Sequence, residues 1–344
     1  MKPTATWIAP SALRIDCPTR CRESHAPRRR MMAQPRSRRF FLRQAVAAAA
    51  GPVFGTEYAA AGTRQETALP FTAGQIAQRL GISMAVFQRE RLGARHVAAL
   101  RRLGIRRIEL VMMPETFDFH DRRQVAEVLG ECRRQGVSVV SVHGNLRRRY
   151  NDPVEERRRA AAAMLLEEIR FAEKAGAGIL VAHFGTDGQA RKTVTELLEQ
   201  TKDLRIRLTV ENMRGGLKPY ADFVDRIGSE RFGMTVDIGH ARDPDGVNPF
   251  VKPGRAGDVL ATGGRRIWHL HLHETFNLPT RADHRPPLHP KGIIRWDEVL
   301  AGLKAIAYRG VFLFEDGRGE NPDQWTRLVA QFPGNFVARY ATRQ

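Results

Sequence analysis

The stretch WHLHLHET, residues 268–275, places histidines at alternate positions, His269, His271 and His273. A period of two is the period of a β-strand, so these three side chains share one face, and the tryptophan and leucines between them share the other. Imidazole nitrogens on one strand face are common metal ligands. Core histidines with satisfied hydrogen bonds, or a solvated strand face, are the alternatives, and this stretch alone does not exclude them.

The elements that position these residues alternate along the chain from about residue 78 to its end. The strand candidates are LGISMAVF, IRRIELVM, GVSVVSVH, GAGILVAH, RIRLTVE, RFGMTVD, RIWHLHLH and YRGVFLFE. The helical segments between them include ARHVAALRRLG, RRQVAEVLGECRRQG, PVEERRRAAAAMLLEEIRFAEKAG, YADFVDRIG and WDEVLAGLKAI. Alternating strands and helices imply parallel strands, and eight such units over roughly 250 residues match an α/β fold consisting of a single (β/α)8 TIM barrel. A doubly wound open sheet competes, but no G-x-G-x-x-G loop follows LGISMAVF.

In such a barrel the functional residues lie at the carboxyl ends of the strands. Six consecutive predicted strands, the third to the eighth, end in or near a residue of metal-ligand type: His143, His183, Glu211, Asp237, His271 and Glu315. Three carboxylates in one small mouth would repel one another unless a cation neutralised them. We therefore predict a metal site at this mouth, with His271 facing it, His269 one layer deeper and His273 at the rim.

These strand ends resemble those of the xylose isomerase-like TIM barrels, a family that includes sugar isomerases and epimerases and also endonuclease IV. The resemblance covers roughly residues 78–340 and rests on IRRIELV, SVHG, LVAHFG, LTVEN, TVDIGH, HLHLHE and VFLFED. It implies one divalent metal ion, Mn2+ or Zn2+ with Mg2+ or Co2+ as alternatives, and these metal ligands: Glu211, Asp237, His271 and Glu315. It also implies that Glu211 and Glu315 are catalytic, moving a proton on either side of a substrate through an enediolate.

Further residues near the predicted mouth have less definite roles. ADHRPP followed by GIIRW resembles a loop in which Asp-x-His normally precedes Gly-x-Ile-x-Trp, but Ala282 stands where the acid is expected. Endonuclease IV uses that loop to hold one of three zinc ions. Here the acid is displaced by one position, to Asp283, which argues against a third metal. The residues predicted to bind a second metal or the substrate are His143, His183, His240, Asp283 and His284. Glu109 lies early on its strand, so we expect it to orient neighbours or to pair with an arginine.

Residues 1–61 read as a leader with a twin-arginine export signal, and residues 62–344 as the barrel. SRRFFLRQ carries Ser37, Arg38, Arg39, Phe41 and Leu42 of the twin-arginine signature, followed by the Ala-rich stretch AVAAAAGPVFG. Ala residues at 59–61 suit cleavage. A basic N-terminal helix or a disordered tail is the alternative. We expect export to a bacterial periplasm through the twin-arginine translocase, without a stable membrane anchor, since no run of 18 apolar residues exists.

Charge and cysteine content bear on the binding partners and on disulfide formation. The chain carries a formal net charge of +19, of which residues 1–61 contribute +8, so +11 remains on the rest. This excess favours polyanions but is spread along helices such as EERRRAAAAMLLEEIR, so we expect no nucleic-acid partner. Cys132 is the only cysteine after residue 61, which leaves no internal disulfide. Whether the chain forms a homo-oligomer is left open.

Three functions remain in competition. The first is a metal-dependent isomerase or epimerase acting on a small-molecule carbohydrate or a similar substrate. The second is an endonuclease IV-like metal phosphodiesterase, supported by the extra histidines and the basic charge and opposed by export away from genomic DNA. The third is an exported carbohydrate-binding barrel without turnover, which the pair Glu211 and Glu315 argues against, because a binding protein needs no acid and base.

Overall fold

The computed structural model describes residues 69–276, 283–315 and 321–341. The predicted leader, including Arg38, Arg39 and the cleavage site, lies outside these residues, as does Ala282. The export signal therefore stays a prediction. Among the described residues, no helix combines the length and the apolar character that a bilayer-spanning helix needs.

Eight parallel strands form the sheet, and each of the first six pairs with the strand that follows it in the chain. Their bounds are β1 Leu80–Ser83, β2 Arg107–Val111, β3 Ser138–His143, β4 Ile179–Ala182, β5 Arg207–Glu211, β6 Phe232–Asp237, β7 Ile267–His271 and β8 Phe312–Phe314. β1 also pairs with β8. Leu272 closes the ring, because its N–H donates to the Leu313 carbonyl at 2.8 Å and its carbonyl accepts from the Glu315 N–H at 3.0 Å. The predicted single (β/α)8 barrel is confirmed.

Helices connect the strands and cover the outside of the sheet. In the described residues they are α1 Ala73–Gln78, α2 Ala94–Arg102, α3 Arg122–Gln135, α4 Glu155–Lys174, α5 Gly188–Gln200, α6 Lys218–Ile227, α7 Ala256–Gly263, α8 Trp296–Ala305 and α9 Pro322–Ala341. Local chemistry sets their ends. The Asp121 carboxylate accepts from the first N–H groups of α3, and Gly136, with φ of 62°, ends it in the left-handed conformation.

The first predicted strand is wrong in its second half. LGISMAVF continues the apolar run of β1, but Met84–Phe87 form a 3-10 turn. The Ser83 hydroxyl accepts a hydrogen bond from the Ala85 N–H at 3.4 Å, which turns the chain away from the sheet direction. All four residues of the turn are buried, so apolarity alone could not distinguish them from a strand.

Strand register brings the polar residues of neighbouring strands side by side. Glu109 of β2 lies next to Ser141 of β3 after a shift in the register of that pair. Asp237 of β6 lies next to His271 of β7, again after a register shift between Met234 and Thr235. Asp237 and His271 belong to the site described below, and Glu109 and Ser141 lie beneath it.

Candidate functional site

A cavity of about 470 Å3 opens at the carboxyl ends of the strands. Seven predicted site residues line it: His143, His183, Glu211, His240, Asp283, His284 and Glu315. The other two, Asp237 and His271, have no exposed surface. The rest of the lining, from the ends of the first three strands and the segments after them, is largely apolar and includes Ala85, Val111, Met113 and Leu146. The predicted convergence at one mouth is therefore present in the structure.

Four side chains from four strand ends meet at the floor of the mouth. Glu211, Asp237, His271 and Glu315 each offer one ligand atom, and these atoms lie within 4.8 Å of one another. The three carboxylates are at most 6% exposed. Buried carboxylates at this separation repel strongly unless a positive charge lies among them.

Two polar atoms of this group lack hydrogen bonds. Asp237 Oδ2 and His271 Nδ1 are buried and have no hydrogen-bond partner. His271 Nδ1 nevertheless lies 3.3 Å from Glu211 Oε1 and 3.3 Å from Glu315 Oε2. The four ligand atoms therefore lie close enough together to share one ion. Carboxylate oxygens with one imidazole nitrogen suit a divalent ion such as Zn2+, Mn2+ or Mg2+, so the four residues fit the metal that the sequence predicts.

Hydrogen bonds to Oδ1 fix the orientation of the Asp237 carboxylate. Oδ1 accepts hydrogen bonds from the N–H groups of Gly239 at 2.7 Å and His240 at 2.9 Å. It also lies 2.9 Å from Nε2 of His273. The His284 N–H donates to His273 Nδ1 at 2.9 Å, so Nδ1 is unprotonated and Nε2 carries the proton that Asp237 accepts. Three donors thus fix Oδ1 and leave Oδ2 toward the floor of the mouth.

The two oxygens of Glu211 have different partners. Oε2 lies 3.0 Å from His143 Nε2 and 3.1 Å from His183 Nε2, which act as donors to it. Burial opposes ionisation of Glu211, but its histidine neighbours, led by His271, hold its pKa well below the usual range. Burial likewise opposes the imidazolium form of His143, yet contact with Glu211 raises the pKa of His143 to about 9. Glu211 is therefore a carboxylate in the metal-free protein.

His271 and Glu315 each stabilise the charged form of the other. Burial favours the neutral imidazole of His271, but the surrounding carboxylates, Glu315 foremost, raise the pKa of His271 well above its ordinary value. Burial also opposes ionisation of Glu315, and the charge of His271 outweighs it and lowers the pKa of Glu315. Without a cation, the imidazolium of His271 supplies the positive charge among the carboxylates.

The remaining predicted residues form two further groups at the mouth. His143, Glu211 and His271 offer ligand atoms within 4.8 Å of one another, and so do Asp237, His240 and His284. His284 lines the mouth and has a left-handed backbone, with φ of 55°. Its ring stacks on that of His273 at 4.2 Å. Asp283 Oδ1 lies 3.2 Å from His284 Nδ1.

Comparison with known proteins assigns the family. The chain matches the xylose isomerase-like TIM barrel family over residues 97–332. The chain belongs to this family. It is 33% identical over 131 residues to the uncharacterised protein MJ1311 of Methanocaldococcus jannaschii, a match covering 36% of this chain and only 41% of that protein.

Solved structures of other proteins share the fold. One is D-psicose 3-epimerase with D-tagatose from Clostridium cellulolyticum H10, with a TM-score of 0.59, 17% identity, and coverage of 76% of this chain and 98% of that one. Another is a xylose isomerase-like TIM barrel protein from Mycobacterium smegmatis in complex with magnesium, with a TM-score of 0.58, 13% identity, and coverage of 79% and 99%. The predicted family is thus confirmed, and these solved structures show the same fold.

The structure decides between the alternatives for one buried residue and corrects the prediction for another. Glu109 has no exposed surface, and it contacts Ser141, His269 and His271, so of the two expected roles the contacts fit orientation of neighbours and not pairing with an arginine. His273 was expected at the rim, but it is fully buried and contacts Asp237. The period-two pattern of WHLHLHET identified the shared face of the histidines, yet only the tertiary contacts reveal which acid each one meets.

Proposed function

We propose that this protein is a divalent-metal-dependent isomerase or epimerase of a sugar or sugar-like substrate. The observation that carries the proposal is the convergence of Glu211, Asp237, His271 and Glu315, with Asp237 Oδ2 and His271 Nδ1 buried and lacking hydrogen-bond partners. A divalent ion bound there supplies Lewis-acid polarisation of a substrate carbonyl, which makes the neighbouring C–H bond more acidic.

The four residues divide into two roles. Asp237 and His271 have no exposed surface and are assigned to holding the ion. Glu211 and Glu315 line the cavity and can reach a substrate. Both have a pKa below the usual range, because nearby histidines outweigh the effect of burial, so both begin as carboxylates able to accept a proton.

The reaction assigned to this pair is a proton transfer. One glutamate takes the proton of a C–H bond next to the carbonyl, and the electron pair of that bond forms the enediolate. For an epimer, the other glutamate takes up a proton from solvent and delivers it to the opposite face of the same carbon, and the first glutamate releases its proton to solvent. For an isomer, the first glutamate returns the proton to the neighbouring carbon, and the hydroxyl proton moves to the former carbonyl oxygen. Either outcome conserves atoms and needs no further reactant.

Glu315→Gln tests the proposal. The purified, metal-loaded protein is incubated with a panel of aldoses and ketoses in deuterated water, and carbon-bound deuterium is followed by NMR. We expect exchange in at least one sugar and a roughly 10²- to 10⁴-fold slower exchange in Glu315→Gln, because an amide cannot accept the proton. Glu199→Gln, which changes an exposed glutamate paired with Lys202, is the matched control and should retain full activity. No carbon-bound deuterium from any sugar would contradict the proposal.

An endonuclease IV-like phosphodiesterase is the second candidate. It is favoured by two further ligand groups at the mouth, His143 with Glu211 and His271, and Asp237 with His240 and His284. Metal analysis of the purified protein separates the candidates, because about one ion per chain supports the isomerase. Three zinc ions together with cleavage of abasic DNA would support the phosphodiesterase. A carbohydrate-binding barrel without turnover would instead bind a sugar equally well in the wild type and in Glu315→Gln, with no exchange in either.

A further inference from the structure

Glu109 lies beneath the proposed metal site and has no part in the proton transfer. It is on β2, fully buried, and within hydrogen-bond distance of three side chains. Ser141 Oγ donates to Glu109 Oε2 at 2.9 Å, His269 Nε2 lies 3.1 Å from the same oxygen, and His271 Nε2 lies 3.3 Å from it. A carboxylate buried this deeply must be compensated by hydrogen bonds or by opposite charge, since an unpaired buried charge is strongly destabilising.

The two ring nitrogens of His271 face different partners. Nε2 faces the Glu109 carboxylate at 3.3 Å. Nδ1 faces Glu211 Oε1 and Glu315 Oε2 at 3.3 Å and has no hydrogen bond. A neutral imidazole carries one proton, so a proton held on Nε2 by Glu109 leaves the lone pair of Nδ1 toward the site.

We propose that Glu109 is a positioning residue that accepts the Nε2 proton of His271 and so presents Nδ1 as the metal ligand. The inference rests on the metal site of the proposed function and extends it to a residue below that site. A carboxylate behind a ligating histidine fixes the ring orientation and raises the basicity of the coordinating nitrogen. Ser141 and His269 in turn hold Glu109 in place.

An ion bound by Glu109, His269 and His271 themselves is the competing interpretation, because their ligand atoms also lie within 4.8 Å of one another. The contacts favour positioning. Glu109 Oε2 already has Ser141, His269 and His271 within 2.9–3.3 Å, which is the range of ordinary hydrogen bonds. If Nε2 of His271 donates to Glu109, it has no lone pair left for a metal.

The first experiment uses the unaltered protein. Zinc-loaded protein labelled with 15N is examined by long-range 1H–15N NMR, with the His271 signals assigned by their loss in His271→Gln. We expect a protonated Nε2 and a zinc-bound Nδ1. Coordination through Nε2 would overturn the inference, and this measurement does not depend on the folding of any Glu109 variant.

The second experiment measures zinc affinity by titration calorimetry, independently of turnover. We expect Glu109→Gln to bind zinc roughly 10-fold more weakly and Glu109→Leu up to roughly 100-fold more weakly, because the amide is a poorer acceptor and leucine is none. Glu131→Gln is the matched control, since Glu131 is a buried glutamate that accepts from Gln135 Nε2 at 2.8 Å on a helix outside the site. Its affinity should stay within twofold of the wild type.

The outcomes separate this inference from the proposed function. Wild-type protein that binds no divalent ion would contradict the proposed function itself. Wild-type binding that is equally tight in folded Glu109→Gln and Glu109→Leu would overturn only the role of Glu109. A wild type with two zinc ions, one of which is lost in Glu109→Gln, would instead make Glu109 a metal ligand and would also overturn the positioning role.

Discussion

Buried glutamates in this barrel differ in charge because they differ in neighbours. Glu109, Glu211 and Glu315 each contact histidines, which outweigh burial and lower their pKa values. Glu168 of α4 is also buried, but it accepts a hydrogen bond from the Asn145 N–H at 3.2 Å. Burial dominates there and raises the pKa of Glu168 to about 7. One residue type therefore supplies both the site carboxylates and a group that stays largely protonated in mildly acidic solution.

Glu168→Gln should change how stability depends on pH. The folded pKa of about 7 exceeds the reference value of 4.5, so the contribution of Glu168 to stability is full below pH 4.5 and is lost as pH rises to about 7. Glutamine does not titrate. We therefore expect the stability of the wild type relative to Glu168→Gln to fall by up to roughly 3 kcal/mol between pH 4.5 and pH 7.

The measurement is thermal or urea denaturation of both proteins across this pH range. Glu167→Gln, which changes the exposed neighbouring glutamate, is the control and should follow the wild type at every pH. A wild-type curve parallel to that of Glu168→Gln would show that Glu168 ionises in the folded protein as it does in the unfolded chain.

At the scale of elements, the site depends on how closely β6 and β7 approach beyond their last paired residues. Asp237 ends β6, and Gly239 follows it in the turn. A Cβ atom on Gly239 would lie 1.9 Å from Cε1 of His273, the residue two positions after β7. The absence of a side chain at Gly239 thus makes room for His273 to reach Asp237.

Gly239→Ala should disturb both stability and metal binding. The added methyl group must displace His273, and overpacking of this kind costs roughly 1–3 kcal/mol. The hydrogen bond from His273 to Asp237 Oδ1 would be displaced with it, so we expect weaker zinc binding together with a lower melting temperature. Calorimetric titration and thermal denaturation measure the two effects.

Gly130→Ala is the control for this change. Gly130 lies within α3, and its added Cβ would approach nothing closer than Arg133 at 4.0 Å. Alanine in a helix is favoured over glycine by roughly 0.5–1 kcal/mol, so this variant should be as stable as the wild type or more so. Unchanged zinc affinity in Gly239→Ala would mean that His273 does not orient Asp237.

At the scale of the whole molecule, part of the net positive charge lies in the predicted leader. Residues 1–61 carry +8 of the net +19. We propose that these residues direct export and are then removed, on the strength of Arg38 and Arg39, the Ala-rich stretch and the alanines at 59–61. The mature protein would then carry +11, with stability that depends on the barrel core instead of disulfides.

Replacing Arg38 and Arg39 with lysine tests this proposal. The twin-arginine pair is read by a receptor, so lysines that preserve the charge should still abolish export. Cell fractionation and mass spectrometry should find a shortened wild-type protein in the periplasm and the full 38.8 kDa chain of the variant in the cytoplasm. A variant exported as well as the wild type would contradict a twin-arginine signal.

Much of the candidate site was predictable from the sequence because strand ends are local features. In a parallel barrel every strand end points to the same mouth, so six residues of metal-ligand type could be placed there without coordinates, and the family resemblance implied which four of them hold the ion: Glu211, Asp237, His271 and Glu315. The register of the strands and the pairing of side chains are not local. They place Glu109 under His271 and His273 against Asp237, two contacts that the sequence order does not indicate.

The sequence by itself determined the eight-fold alternation, the barrel and the types of residue at its mouth, because periodicity and strand-end position depend only on neighbours along the chain. Tertiary structure alone decided which nitrogen of His271 faces Glu211 and Glu315, and how Gly239 admits His273. These features depend on distances between segments far apart in sequence, which close packing sets to within a fraction of an ångström.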